Sequence, residues 1–285
     1  SCTVMWNTST TGGAIHNDAA DTTITNAVVW ENGFDPIFDV GGAGPEDVLV
    51  DASDGTVLTG LADGRTYIGD IALRPETSVE LTLGLDWSGA AFKVTPELFY
   101  REVDDFIQGV PSTNETANRF AIASTGRPPL QYGNVDAELY GFDMGYEWAL
   151  AGAWRLRGTL SYVRGKRTDE QDNLYRIAPL TSVVELIYQR ERWFVSAENV
   201  AAARQDEVAA YNEETETAGW GILNLRGAVQ LGDHFTLGLG VENLFDKVYR
   251  DHLGGYNRVR DSDVPMGARI VSMGRNLYLK LNASW

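Results

Sequence analysis

The chain has 285 residues, enough for two average domains or one large β-domain, and 44% hydrophobic with 22% charged residues is the composition of a folded chain. Its 23 Lys and Arg against 40 Asp and Glu give a formal net charge of −17. Because phosphate binding depends on a basic surface, this balance argues against a nucleic-acid partner. The single cysteine, Cys2, excludes a disulfide within the chain, and no apolar run approaches the roughly 18 residues of a transmembrane helix.

Residues 1–70 are rich in Gly, Asp and Thr, with turn dipeptides such as Asp54-Gly55 and Asp63-Gly64. We interpret this segment as mostly a long loop with short hairpins. The first residues lack the basic start, apolar run and cleavage site of a signal peptide, so we expect a mature or truncated chain.

From about residue 77 the chain consists of segments of about ten residues in which apolar and polar residues alternate, the period of a strand with two unlike faces. In the last segment, Leu277, Leu279 and Leu281 alternate with polar residues. The alternation predicts nine strands, at 79–87, 92–101, 139–148, 154–162, 182–190, 192–199, 222–231, 235–242 and 276–285.

The connections between these strands alternate in length. Short turns are predicted at 88–90, 151–152, 190–192 and 232–234, and long polar segments at about 104–133, 165–178, 204–218 and 246–274. A transmembrane antiparallel up-and-down β-barrel has this asymmetry, with short periplasmic turns, long external loops, an apolar outer band and a polar interior. A soluble β-sandwich also alternates, but it has no reason to place its short turns at one end.

This all-β, β-barrel interpretation assigns a position in the barrel to two groups of side chains. The charged residues expected to face the lumen are Arg155, Arg157, Arg226, Glu97 and Glu147. The aromatic residues expected to form interfacial girdles are Trp87, Tyr100, Trp148, Trp154, Tyr188, Trp193 and Trp220.

Five short features follow one another along residues 73–285. They are Leu73-Arg74-Pro75-Glu76-Thr77-Ser78, Leu98-Phe99-Tyr100-Arg101-Glu102-Val103-Asp104-Asp105-Phe106-Ile107, Val241-Glu242-Asn243-Leu244-Phe245-Asp246-Lys247-Val248-Tyr249, Gly274-Arg275-Asn276-Leu277-Tyr278 and the terminal Trp285. In this order they resemble the C-terminal half of a TonB-dependent outer-membrane receptor. We expect structural roles for them: Pro75 suits the start of a strand, where a missing N–H costs least, and Trp285 is similar to the terminal aromatic residue that the outer-membrane assembly machinery recognises.

The resemblance implies a barrel of about 22 strands with a plugged lumen, of which this chain would supply about nine C-terminal strands. Residues 71–285 would be the barrel segment and 1–70 an external loop region. The plug domain, through which the TonB system acts, would be missing, so we expect a C-terminal fragment or a truncated gene product. The implied location is the outer membrane of a Gram-negative cell, in contact with its lipids.

Metal-ligating residues are sparse. His252 lies in the last long polar segment, and its spacing after Tyr249 is similar to the copper-receptor branch of the family. Cys2, Met5 and His16 form a set of soft ligands that suits copper(I), and Met266 and Met273 lie in the last loop. For each, a role without metal is the alternative interpretation.

The function implied by the resemblance is TonB-dependent uptake of a scarce nutrient, a ferric siderophore or another metal complex such as one of copper. No catalytic motif such as G-x-S-x-G or H-E-x-x-H occurs, so we predict no enzyme activity and no resident cofactor. The alternatives are a passive porin-like barrel, an enzymatic outer-membrane barrel and a soluble β-sandwich binding protein.

Overall fold

A computed structural model describes residues 65–285, apart from residues 258, 260, 261, 266 and 285, together with the strand Val57–Leu58. This part of the chain contains twelve strands and one helix. The strands are β1 Val57–Leu58, β2 Tyr67–Ile68, β3 Thr77–Gly84, β4 Trp87–Ser88, β5 Phe92–Pro111, β6 Leu130–Ala149, β7 Trp154–Arg167, β8 Thr181–Gln189, β9 Trp193–Ala202, β10 Trp220–Leu231, β11 Phe235–Glu242 and β12 Asn276–Ala283, and the helix is α1 Glu115–Thr125. Within the described residues, no helix is both long enough and apolar enough to cross a membrane.

The chain divides into two compact units. The first consists of residues 1–73, 109–133 and 256–267, and the second of residues 74–108, 134–255 and 268–285. Because β5 and β6 are twenty residues long, each of them contributes residues to both units.

The second unit is built on an antiparallel meander. β3 and β4 pair with β5, β5 pairs with β6, and each following strand pairs with the next as far as β12. Among the described residues, β3 pairs only with β5 and β12 only with β11. The sheet is therefore open, as expected for part of a barrel, and the nine predicted strands are confirmed.

The two faces of this sheet differ in chemistry as the alternation predicted. In the β11–β12 pair, Leu239 lies opposite Leu279 on the apolar face, and Gly238 lies opposite Lys280 on the polar face. Burial is the inverse of that in a soluble protein, since Leu279 is 71% exposed whereas Glu185, on the polar face of β8, is 5% exposed. An apolar face without cover and a polar face with buried charges are the arrangement of a barrel in lipid.

Aromatic side chains border the apolar face where the strands meet the short turns. Trp154 and Tyr188 have ring centroids 4.8 Å apart, and Tyr188 and Trp193 5.4 Å apart. From Trp154 to Tyr162, β7 extends about 26 Å, or about 20 Å along the barrel axis at a tilt of about 40°. This height is comparable to the apolar band of about 25 Å in transmembrane barrels.

The four predicted short turns are confirmed, since β4 ends at Ser88, β6 at Ala149, β8 at Gln189 and β10 at Leu231, each followed within five residues by the next strand. The prediction of one long polar loop at 104–133 was wrong. In this segment β5 continues to Pro111, α1 follows, and β6 begins at Leu130.

The first unit is described by its own contacts. β1 pairs antiparallel with β2, and β2 pairs in parallel with the start of β6. Tyr67 and Leu130 are buried, and a Cβ at Gly109 would lie 2.6 Å from the Tyr67 ring, so only glycine fits there. Residues 1–56 and 59–64 lie outside the described residues, and the loop interpretation of 1–70 stays a prediction.

Candidate functional site

A row of charged side chains crosses the polar face of the second unit. The pairing register places Glu147, Arg157, Glu185, Glu198 and Asn224 opposite one another on five neighbouring strands, β6 to β10. Like charges directly opposite each other destabilise a sheet, and Glu185 and Glu198 are such a pair. The row must therefore be balanced by cations.

Each of these two carboxylates has its own arginine. Arg157 Nε donates to Glu185 Oε2 at 2.7 Å. Arg226 donates two hydrogen bonds to Glu198, at 2.9 and 2.7 Å, the bidentate geometry that makes the strongest ion pairs. Two acids and two guanidinium groups thus neutralise one another. Arg157 and Arg226 lie on the polar face, the face expected of residues that line a lumen.

A cavity of about 390 Å³ opens beside this row. Its polar lining includes Lys93, Thr95, Glu147, Arg157 and Glu185. The cations and carboxylates of this lining can hydrogen-bond water and polar groups, and Tyr146 and Val183 add apolar surface.

Two long loops of the second unit, residues 168–180 after β7 and residues 203–219 after β9, are joined into one structure that we call the loop platform. Asp172 accepts hydrogen bonds from the backbone N–H of Ala210 at 2.8 Å and of Tyr211 at 3.2 Å. Asn173 Nδ2 donates to the carbonyl of Val208 at 2.9 Å. Several such contacts hold the two loops in a defined arrangement.

The last loop, between β11 and β12, meets this platform at His252. The side chains of His252 and Glu214 are each 1% exposed, and Nε2 lies 3.1 Å from Oε1. The other ring nitrogen, Nδ1, is 3.0 Å from Thr217 Oγ1. Arg176 donates to Glu214 Oε1 through its backbone N–H at 3.1 Å and to the carbonyl of Leu253 through its guanidinium.

Asn243 closes the base of the last loop. It is 2% exposed and has a left-handed backbone with φ of +46°. Its side chain accepts from Lys247 N at 2.8 Å and donates to the carbonyl of Lys247 at 2.8 Å. It also donates to the carbonyl of Met273, at 3.3 Å, on the returning part of the loop. The side chain of one residue therefore joins both ends of the loop.

The neighbouring motif residues strengthen this base. Arg275 N donates to Asp246 Oδ1 at 2.7 Å, and a Cβ at Gly274 would lie 2.8 Å from that oxygen. The ring of Tyr249 lies 4.3 Å from the ring of Trp220 at the start of β10. Phe245 is 74% exposed, and Leu244 N donates to the carbonyl of Leu223 at 2.8 Å.

At the other edge of the sheet, Glu76, which follows Pro75 ahead of β3, accepts a hydrogen bond from Ile107 N at 2.7 Å. Arg74 N donates to Asn134 Oδ1 at 2.8 Å. These contacts fasten the start of β3 to β5 and β6.

The candidate metal ligands are not brought together in the described structure. His252 is buried between Glu214 and Thr217, whereas Met273 is 69% exposed. Among the described residues, no three His, Cys, Asp or Glu side chains are grouped so as to hold a metal ion. Cys2, Met5, His16 and Met266, and also Trp285, lie outside the described residues, so the metal-ligand assignments stay predictions.

The ion pair between Asp169 and Arg167 in the loop platform predicts how the stability of the fold depends on pH. Two hydrogen bonds from the Arg167 guanidinium, at 3.0 and 2.6 Å, hold the pKa of Asp169 below its ordinary value, and they outweigh the partial burial that would raise it. A depressed carboxyl pKa stabilises the folded state above the unfolded pKa of about 3.9, and this contribution is lost as the pH falls through the folded pKa.

We therefore expect Asp169→Asn to lower the denaturation midpoint of the full-length protein at pH 7 and to have little effect at a pH below the lowered pKa. The side chain is 33% exposed, and solvent screening keeps the expected loss below about 1 kcal/mol. Denaturant titrations of both proteins at the two pH values measure the difference. An equal difference at both pH values would contradict the role of the ionised carboxylate.

Comparison with known proteins gives the following relationships. The family model described as TonB dependent receptor-like, beta-barrel, matches residues 20–244. Among solved structures, the chain is similar to the copper transporter OprC at 24% identity and a TM-score of 0.65, over 76% of this chain and 34% of that chain. It is similar to the siderophore receptor PirA from Acinetobacter baumannii at 20% identity and a TM-score of 0.56, over 78% of this chain and 33% of that chain.

A third similar structure is the pyoverdine outer membrane receptor FpvA from Pseudomonas aeruginosa PAO1, at 11% identity and a TM-score of 0.55, over 81% of this chain and 33% of that chain. These likenesses show a shared fold. The chain spans about a third of the length of the three solved structures. Curated protein sequences gave no significant match.

Proposed function

Because the chain belongs to the TonB dependent receptor-like β-barrel family, we propose that it forms part of the barrel wall of a Gram-negative outer-membrane receptor that actively imports a scarce nutrient. The observation that carries the proposal is the pair of unlike faces on one sheet. Leucines such as Leu279 are exposed on one face, and paired charges such as Glu198 and Arg226 lie on the other. Lipid would cover the first face, and the second would line the lumen.

The proposed mechanism divides the work between the loops and the wall. The loop platform and the last loop would capture the nutrient outside the cell, and the polar face would line its route through the barrel. The energy would come from the TonB system through a plug domain encoded outside this chain. The family is one of transport receptors, and we propose transport without catalysis for this chain as well.

For the substrate we propose a ferric siderophore or another metal complex, with copper as the specific alternative. A copper transporter and a siderophore receptor are both among the similar structures. Of the candidate ligands, Met273 is exposed, and a thioether is a ligand for copper(I).

Uptake by living cells tests the function. Cells that lack the gene, complemented with the full-length gene or with an empty vector, would be supplied with radioactive iron bound to siderophores or with radioactive copper. We expect uptake of one of these substrates only with the gene, and loss of that uptake when the proton-motive force is dissipated or TonB is deleted. Uptake that persists without TonB would indicate a passive porin and would contradict the proposal.

A further inference from the structure

The apolar face of β8 ends in a cation. Along this face the side chains are Val184, Leu186 and Tyr188, and Arg190 follows directly after the end of the strand. Arg190 N donates to the carbonyl of Trp193 at 2.8 Å, which extends the pairing register of β8 and β9 and places Arg190 opposite Trp193. The face therefore changes from apolar to aromatic to basic as it reaches the short turn.

The guanidinium of Arg190 is held in one place. Its Nε donates to the Tyr188 hydroxyl at 2.8 Å, and its central carbon lies 5.1 Å from the centre of the Tyr188 ring. That ring lies next to both Trp154 and Trp193, with centroids 4.8 and 5.4 Å away. Because Nε is already used, the N–H groups of the two terminal nitrogens are left for a ligand.

The charge of this arginine is not neutralised by a carboxylate. In the described part of the chain, the side chain of Arg190 contacts Tyr188 and forms no ion pair. Glu191 and Arg192, which complete the turn, are both exposed. Of the four short turns, the one at 190–192 alone has more basic than acidic residues. An exposed positive charge therefore marks this point at the border of the apolar face.

The phosphate of a membrane lipid matches this arrangement. A guanidinium can donate two parallel hydrogen bonds to phosphate oxygens, which combines charge with planar geometry. Rings such as those of Trp154 and Trp193 are typical of the interface between hydrocarbon and headgroups. Acyl chains would lie on the apolar face while the phosphate lies at Arg190. In a transmembrane barrel the short turns face the periplasm, where the outer membrane presents phospholipids.

We propose that Arg190, Tyr188 and the rings of Trp154 and Trp193 form a binding site for an anionic phospholipid of the periplasmic leaflet. The Arg190 guanidinium binds the phosphate, and Tyr188 is a positioning residue that holds the guanidinium. A headgroup with net negative charge, such as phosphatidylglycerol, is favoured over phosphatidylethanolamine, whose ammonium group is repelled by the arginine. The site rests on the proposed function only in that the barrel lies in the outer membrane with its short turns toward the periplasm.

Native mass spectrometry of the full-length protein in detergent tests the site. The protein would be titrated with phosphatidylglycerol or with phosphatidylethanolamine of the same acyl chains. We expect Arg190→Gln to lower the affinity for phosphatidylglycerol about fivefold and to change that for phosphatidylethanolamine by less than about twofold. Tyr188→Phe keeps the ring but removes the acceptor of Nε, so it should lower the preference for phosphatidylglycerol in the same direction.

Arg192→Gln is the matched control, because it removes the same charge from the same turn. The carbonyl of Arg192 accepts from Gln230 N at 2.7 Å, which extends the register of β9 and β10 and places Arg192 opposite Gln230 on the polar face. Arg192 is therefore outside the site. We expect its substitution to lower the affinity for phosphatidylglycerol by less than about twofold.

Two results would overturn the proposal. One is an unchanged affinity for phosphatidylglycerol in Arg190→Gln. The other is an equal loss in Arg190→Gln and Arg192→Gln, which would indicate diffuse attraction to the membrane surface instead of a site. A failed uptake experiment would contradict the transport function but would leave lipid binding unaffected.

Discussion

Leu279→Arg is expected to lower the free energy of unfolding of the full receptor in lipid vesicles by about 2–4 kcal/mol, the cost of a basic side chain near the middle of the lipid face of a barrel. Leu279 is 71% exposed on the apolar face of β12 and lies opposite Leu239. Denaturant unfolding followed by tryptophan fluorescence measures the change.

Asn282→Arg is the control on the same strand. Position 282 lies opposite Thr236 on the polar face, where an arginine would meet water instead of lipid. We expect a change within about 0.5 kcal/mol, as for most surface substitutions. Equal destabilisation by the two variants would contradict the assignment of the faces.

Asn243→Ala is expected to cost about 3 kcal/mol, because it leaves buried backbone groups without partners and places a residue with a Cβ but no polar group in the left-handed region. Asn243 has φ of +46° and bonds to both Lys247 and Met273. The same unfolding measurement applies, together with hydrogen exchange of residues 247–255 and 268–273, which should rise because the side chain of Asn243 no longer joins the two ends of the last loop.

Two variants separate the causes of that loss. Asn243→Gly tolerates the positive φ, so its remaining cost reports the side-chain hydrogen bonds alone. Asn276→Ala removes an asparagine on the polar face of β12 that donates one side-chain hydrogen bond, to Glu242 Oε2 at 3.1 Å, and should cost below about 1 kcal/mol. A cost for Asn243→Ala no larger than that for Asn276→Ala would contradict the role of Asn243 in closing the loop.

The strands of the sheet were predictable from sequence because the two faces of each strand differ in chemistry. In β12, Leu277, Leu279 and Leu281 alternate with polar residues, as is expected of a strand between lipid on one side and a polar lumen on the other. That constraint acts at every residue within the apolar band, so simple periodicity gives both the strands and their faces.

Outside the band the constraint disappears, and for that reason the segment 104–133 was misassigned. Polar residues such as Asp104 and Asp105 interrupt the alternation of apolar and polar residues, so the continuation of β5 could not be recognised. Asp105 also has a positive φ of 61°, which is unusual in a strand. The signals for α1 were present: Asn114 caps the helix by accepting from Ala117 N, and Gly126 ends it with φ of +76°. These capping residues could have been recognised in the sequence.

The contacts of the loops could not be predicted, because they join residues far apart in sequence through single polar groups. Asp172 was not among the candidate residues, and His252 was considered as a metal ligand or a solvated loop histidine, whereas its side chain is buried. Nothing periodic distinguishes Glu214 from the exposed Glu213 and Glu216 beside it. The motif residues Asn243, Asp246 and Gly274 were assigned structural roles, but the bonds of Asn243 to Met273 and of Asp246 to Arg275 depend on the three-dimensional course of the loop.

The most direct test of the account is the environment of consecutive residues along β12 in the membrane. Spin labels placed singly at positions 277 to 282 of the full receptor in lipid would be probed with oxygen, which partitions into lipid, and with a water-soluble nickel chelate. The account predicts that positions 277, 279 and 281 are accessible to oxygen and shielded from nickel, and that positions 278, 280 and 282 are shielded from oxygen. Equal accessibility of all six positions to the nickel chelate would contradict a membrane-spanning barrel.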